Sequence, residues 1–375
     1  MWPSSLVGFY YPPLPPTGMF SKSYKRILCC YGDELPSTRP TTFSSRDLSF
    51  TMLFSTILSA VSGASLVFAA PSIQKRQSNE TAAPANSIND TQVLQFALTL
   101  ELLEDAFYSE GLQRFDAAAF RDAGYPDWVR GRFEQIREHE NTHVEFLRGA
   151  LGSEAVQPCE YNFTFTSPEE FAATSLNLEV VGQAAYTGAA AFISDKNTLE
   201  VAANILSVEA SQSAWVASAV LKGSAWSGPF ETALGFNGVW SLASQFIGRC
   251  PESNPQLPVK NLPTLAFEPA VPAAGTNVTL DFTRPAEYNN TQLYVAYLNG
   301  IIPRFTAVEE SEGKFTAYVP GDLQGIAFAA VVANNTRAAT TDENLITGLV
   351  VLDFPVPANV NNNGTTVFPC SCNTI

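Results

Sequence analysis

The stretch Arg137–Leu147, REHENTHVEFL, holds both histidines of the 375-residue chain, His139 and His143, with Glu140 between them. Two chemistries fit these residues. As H-E-x-x-H, His139, Glu140 and His143 spell the zinc-peptidase motif, in which two histidines bind zinc and the glutamate serves as base. As E-x-x-H, Glu140 and His143 stand three apart and share a helix face. One carboxylate and one imidazole then point the same way, which is half of a carboxylate-bridged metal site. The surroundings are helical in pattern: Phe133, Ile136, Val144 and Leu147 recur at three- and four-residue steps, and Gly152 follows as a stop.

The elements that must position these groups are five helices. The first covers DTQVLQFALTLELLEDAFYSEGL, with Asn89 or Asp90 as its N-cap. The second runs from about Asp127 to Leu151. The third starts at Ser167-Pro168-Glu169-Glu170, with Ser as cap, Pro at the first helical position and Glu three residues on. The fourth starts at the similar box Asn197-Thr198-Leu199-Glu200 and runs to Gly223, and a short fifth covers about Asn237–Ile247. Aligned with one another, these helices reveal a duplication. LTLELLEDAFY (98–108) superposes on LNLEVVGQAAY (176–186), matching Glu101 with Glu179 and Tyr108 with Tyr186. Glu140-Asn-Thr-His143 superposes on Glu209-Ala-Ser-Gln212.

A duplicated helical hairpin thus offers one inward Glu from each first helix and an E-x-x-ligand pair from each second helix. That is the pattern of ferritin-like di-metal bundles. Glu101, Glu140, His143, Glu179 and Glu209 fill five of its six places, and Gln212 stands where the pattern has His. A carboxamide oxygen is a weaker donor than imidazole, so the second metal position is the doubtful one. Carboxylates with one imidazole suit iron or manganese. Tyr108 and Tyr186, two turns past their Glu, share its face as second-shell neighbours or core aromatics. Glu104, Glu138 and Glu145 have no counterpart in the repeat and are read as solvated. His139 aligns with Val208 and is read as packed or second-shell, not as a ligand. The zinc-peptidase reading is the lesser one, because nothing upstream resembles the sheet such enzymes carry.

The sequence resembles the fungal secreted ferritin-like proteins associated with stress response and late sexual development. The resemblance runs from about Asp90 to Leu265. It rests on LTLELLEDAFY, HENTHVEFL, Cys159-Glu-Tyr, LEVVGQAAYTGAA, VEASQSAW and Cys250-Pro-Glu-Ser-Asn-Pro-Gln-Leu-Pro. In that family the fourth helix usually reads E-x-x-H, so Gln212 departs there as well. The resemblance implies a ferritin-like bundle and leaves the biochemical activity open.

Composition narrows the partners. Charged residues make up 15% of the chain and hydrophobic ones 46%, with a formal net charge of −15. Beyond residue 76, 14 basic groups face 33 acidic ones with no basic cluster, which makes a poor nucleic-acid binder and a poor ligand for anionic membranes. Residues 1–51 are read as a non-native or disordered extension. Residues 52–70 (from Met52, MLFSTILSAVSGASLVFAA) are read as a signal peptide, and 71–76 as a pro-segment ending in the dibasic Lys75-Arg76. A linker follows over 77–89, then the bundle over 90–250. Sequons open at Asn79, Asn89, Asn162, Asn277, Asn289, Asn334 and Asn363, in keeping with a secreted, extracellular or cell-wall glycoprotein. No transmembrane segment or glycolipid-anchor tail is expected. Four cysteines follow the signal segment. Cys159 and Cys250 lie at ends of bundle helices and are expected to pair; the alternatives join each of them to Cys370 or Cys372.

A Pro-rich linker spans 251–268. Over 269–355 the period changes to two, with six strand-like runs between Asn-Gly, Glu-Gly and Pro-Gly turns. These predict a small β-sandwich-like domain without catalytic residues, a stabilising or partner-binding module. Residues 356–375 form a mobile tail with a C-x-C. The fold class is therefore mainly α, a ferritin-like four-helix bundle with a fifth short helix, plus a small C-terminal all-β domain. Two functions fit: a metal-handling protein or metal-dependent oxidoreductase, or a non-catalytic extracellular or wall-associated protein with a lost metal site.

Overall fold

The computed structural model describes residues 88–356. The expected extension, signal and pro-segments, Asn79, Asn363, Cys370, Cys372 and the C-terminal tail lie outside the described residues.

Each long helix starts where its sequence supplies a cap. Helix α1 (Asp90–Arg114) opens on a capping box, in which Asn89 accepts from the Gln92 amide and the Gln92 side chain from the Asn89 amide. After a short helix α2 (Ala117–Asp122), capped by Asp116, α3 (Trp128–Leu151) carries the histidine stretch. It stops at Gly152, whose φ of 55° suits a residue without a Cβ. Helix α4 (Pro168–Ala189) is capped by Ser167 with Pro at its first turn. Helix α5 (Lys196–Trp215) is capped by Asp195, whose carboxylate accepts from the Thr198 amide at 2.7 Å. The sequence placed that start at Asn197. The stronger acceptor lies two residues earlier, because a carboxylate also complements the helix dipole. Beyond Trp215 the chain loosens into a π-helical turn, Val216–Val220, and α6 (Phe236–Ala243) closes the helical part.

The helices pair as two hairpins, α1 with α3 and α4 with α5. One end of the bundle is filled by aromatics: Phe171 stacks on Phe107 at 4.9 Å and meets Phe133 edge-on at 5.0 Å. Strands β1 (Ala266–Glu268), β2 (Asn277–Asp281), β6 (Lys314–Tyr318) and β5 (Glu309–Ser311) form one antiparallel sheet, in the order β1-β2-β6-β5. Strands β4 (Arg304–Ala307), β3 (Tyr294–Leu298), β7 (Gly325–Val332) and β8 (Val350–Phe354) form the second, in the order β4-β3-β7-β8. Two of these eight, β1 and β5, are three-residue strands too short for an alternation to show.

The second sheet is buried on both faces. Along β7, Phe328, Ala330 and Val332 join the helical core, while Ala327, Ala329 and Val331 join the core between the sheets. The period of two thus serves two layers at once. Asp342 fixes the join by accepting from the Asn237 and Gly238 amides at 2.9 and 3.2 Å, which caps α6 from outside its own chain segment. Small residues at 327, 329 and 330 let the helices and the outer sheet approach a single strand. The sheets therefore act first as packing for the bundle.

A clasp closes the helical region. Backbone bonds join Glu160 to Arg249 and Gly248 (both 2.7 Å), and Cys159 is bonded to Cys250, with Cα atoms 4.1 Å apart. The bridge spans 91 residues, so in the chain-entropy view it stabilises the fold by about 4–5 kcal/mol. Replacing both cysteines with serine should lower the urea-unfolding free energy by about that amount. Non-reducing peptide mapping should recover the 159–250 pair; a link from Cys159 to Cys370 or Cys372 would contradict the structure.

Candidate metal centre

Glu101 of α1, Glu140 of α3, Glu179 of α4 and Glu209 of α5 all point into the bundle and are at most 1% exposed. His143, one turn beyond Glu140, places Nδ1 3.1 Å from Glu101 Oε2 and 3.0 Å from Glu140 Oε2. Gln212, one turn beyond Glu209, donates from Nε2 to Glu140 Oε1 at 2.6 Å. Ligand atoms of Glu101, Glu140, His143 and Glu209 all lie within 4.8 Å of one another. The E-x-x-ligand spacing works as the helix period requires, since residues three apart present their side chains together.

The two hairpins cross-brace each other. The Tyr108 hydroxyl donates to Glu179, and the Tyr186 hydroxyl donates to Glu101. Each tyrosine thus holds the first-helix Glu of the other repeat. Both rings are buried, and Tyr108 also bonds Ser175 Oγ at 2.8 Å. Each ring is thus packed in the core while its hydroxyl bonds a cluster glutamate.

Three further residues fall where sequence reasoning either misplaced them or passed over them. Glu104, read as solvated, is 4% exposed and faces the cluster, because it stands one turn beyond Glu101 on the same side of α1. His139, read as packed or second-shell, is exposed: one residue before Glu140 is about 100° around the helix. It borders a groove of about 530 Å³ between α3 and α5, walled by Trp128 and Trp215 and reaching Gln212. Gly182, which aligns with Glu104, was passed over. A Cβ there would stand 2.5 Å from Glu209 Oε2 and 3.1 Å from Glu104 Oε1. Glu138 and Glu145 are exposed, as read.

Electrostatics tests whether the cluster suits a cation. Burial, and then the charges of neighbouring carboxylates, push Glu104 and Glu209 well above the ordinary range; burial and Glu140 do the same to Glu179. Burial raises Glu140 to about 7, against the pull of His143. Burial alone would lower His143, but its bonds to Glu101 and Glu140 raise it to about 10. Four buried acceptors, Glu179 Oε2, both oxygens of Glu209 and Gln212 Oε1, find no donor in the protein. Unsatisfied acceptors that converge among like charges suit a positive ion.

The same shifts predict a pH dependence for the metal-stripped protein. Glu140 and His143 hold their protons more tightly folded than unfolded, so unfolding releases protons and stability falls as pH rises. The loss should begin near pH 4.5, pass through about 7 for Glu140 and continue towards 10 for His143. Melting temperatures in chelator measured across that range should decline steadily. A maximum at neutral pH would contradict the buried arrangement.

Comparison with known proteins agrees with this geometry. Residues 89–222, which contain all six groups, match the family described as the ferritin-like domain. The chain is also similar to Protein rds1 of Schizosaccharomyces pombe, with 25% identity over 296 residues covering 75% of this chain and 69% of that protein. The paired hairpins and the inward glutamates agree with a ferritin-like domain over residues 89–222.

Proposed function

We propose that the buried cluster binds iron or manganese as a carboxylate-bridged pair, and that the protein handles or uses these ions outside the cell. The observation that carries this reading is the set of converging acceptors on Glu179, Glu209 and Gln212 with no donor of their own. Glu101, Glu140, His143 and Glu209 would hold the first ion, and Glu179, Glu209 and Gln212 would contribute to the second. Such ions would supply a redox-active centre accessible to oxygen or peroxide. The groove beside Trp128 and Trp215 offers a route for small molecules towards Gln212.

Several features support the extracellular setting. Asn89, Asn162, Asn277, Asn289 and Asn334 are all exposed, as glycan acceptors must be. A bridge such as Cys159–Cys250 persists in oxidising compartments. No helix of the described residues is long and apolar enough to cross a membrane. The signal segment from Met52 and the stress- and development-related role implied by the family resemblance complete the proposal.

A second reading is favoured by one contact. Gln212 Nε2 donates to Glu140 Oε1, a bond that imidazole at that position would exchange for metal ligation. On that reading the protein is a structural or binding component of the cell surface whose metal site has been lost. Anaerobic titration with Fe(II) separates the two. Wild type should bind iron, and Gln212→His should raise affinity for the second ion, since imidazole is the better donor. Absence of binding by wild type, with Mn(II) as with Fe(II), would remove the metal-handling reading. Equal affinities would remove position 212 from the ligand set.

A further inference from the structure

The duplication is broken at one pair of positions inside the site. Position 104 on α1 aligns with position 182 on α4, yet one is glutamate and the other glycine. Glu104 is buried, and its Oε1 and Glu209 Oε2 both lie within about 3 Å of the point that a Gly182 Cβ would occupy (3.1 and 2.5 Å). The glycine therefore leaves room for two carboxylates, one reaching over from α1 and one from α5. Any larger residue at 182 would push those carboxylate ends aside.

The asymmetry falls on a particular side of the cluster. The first hairpin keeps its imidazole, with His143 beside Glu101 and Glu140. The second hairpin has Gln212 instead. The carboxylate that the repeat does not require arrives next to Glu209, whose two oxygens are buried and find no donor. A fifth buried carboxylate among like charges must either hold a proton or be balanced by a cation.

Resting on the metal-binding reading above, we infer that Glu104 is a ligand of the second ion, supplied across the bundle from α1 in place of the imidazole that position 212 lacks. The second position then has an oxygen-only donor set of Glu104, Glu179, Glu209 and the Gln212 carboxamide. Oxygen donors of this kind suit a hard ion such as Mn(II). Gly182 is a positioning residue that keeps the space in which Glu104 and Glu209 meet.

The experiment is calorimetric and electron paramagnetic resonance titration of the intact protein with Mn(II), comparing wild type with Glu104→Gln, Gly182→Ala and His143→Ala. Wild type should bind two ions and give an exchange-coupled signal. Glu104→Gln should keep the first ion and weaken the second by at least the roughly tenfold that follows loss of an outer-shell partner, replacing the coupled signal with that of an isolated ion. Gly182→Ala keeps every donor and should weaken the same ion by displacing two carboxylates. It carries the test if Glu104→Gln fails to fold by circular dichroism. His143→Ala should instead weaken the first ion. Two ions bound with unchanged affinity by Glu104→Gln would overturn the assignment and leave the metal reading standing. No Mn(II) bound by wild type would overturn both.

Discussion

The energetic problem at the centre of this protein is the burial of carboxylates. Glu101, Glu104, Glu140, Glu179 and Glu209 are each at most 4% exposed, and one half-buried histidine stands among them. Taking an ionised carboxylate out of water costs several kcal/mol after relaxation, and neighbours of the same sign add to that. Three responses are open to the chain: hydrogen-bond donors, protonation, or a cation. Tyr108, Tyr186 and Gln212 supply donors to Glu179, Glu101 and Glu140. His143 supplies one positive charge. Glu209 receives neither, and its environment is the one that only a proton or a metal ion can satisfy.

The surrounding architecture makes sense as the means of holding that cluster rigid. Phe107, Phe133 and Phe171 pack one end of the bundle beside Tyr108, so the phenol that orients Glu179 has little freedom. The sheet β4-β3-β7-β8 presses Phe328, Ala330 and Val332 into the same hydrophobic core, and the Cys159–Cys250 bridge ties the α3–α4 connection to the segment after α6. The sheets contribute no ligand to the cluster. Their part is to keep apolar surface covered around helices whose inner faces carry charge, which a bundle of this size could not easily do alone.

Much of this was legible in the sequence because duplication doubles the signal. One Glu on a helix says little, but Glu101 and Glu179 recurring with Tyr108 and Tyr186 at matched spacing define a face. What stayed hidden had physical reasons. Glu104 looked unpaired because its partner in the repeat is a glycine, and a missing side chain leaves no trace in an alignment of ligand types. His139 looked internal because it aligns with the apolar Val208, although a single residue step carries it out of the interior. The start of α5 slipped by two residues since Asp195 and Asn197 are both good caps and only the folded chain selects one. Strands β1 and β5 were too short to show a period.

Whether cations, not protons alone, balance the buried carboxylates can be read from anomalous diffraction at the manganese edge, using crystals grown in Mn(II). Anomalous peaks should lie among Glu101, Glu140, His143 and Glu209. A map with no peak there, and with carboxyl groups hydrogen-bonded to one another instead, would contradict balance by cations.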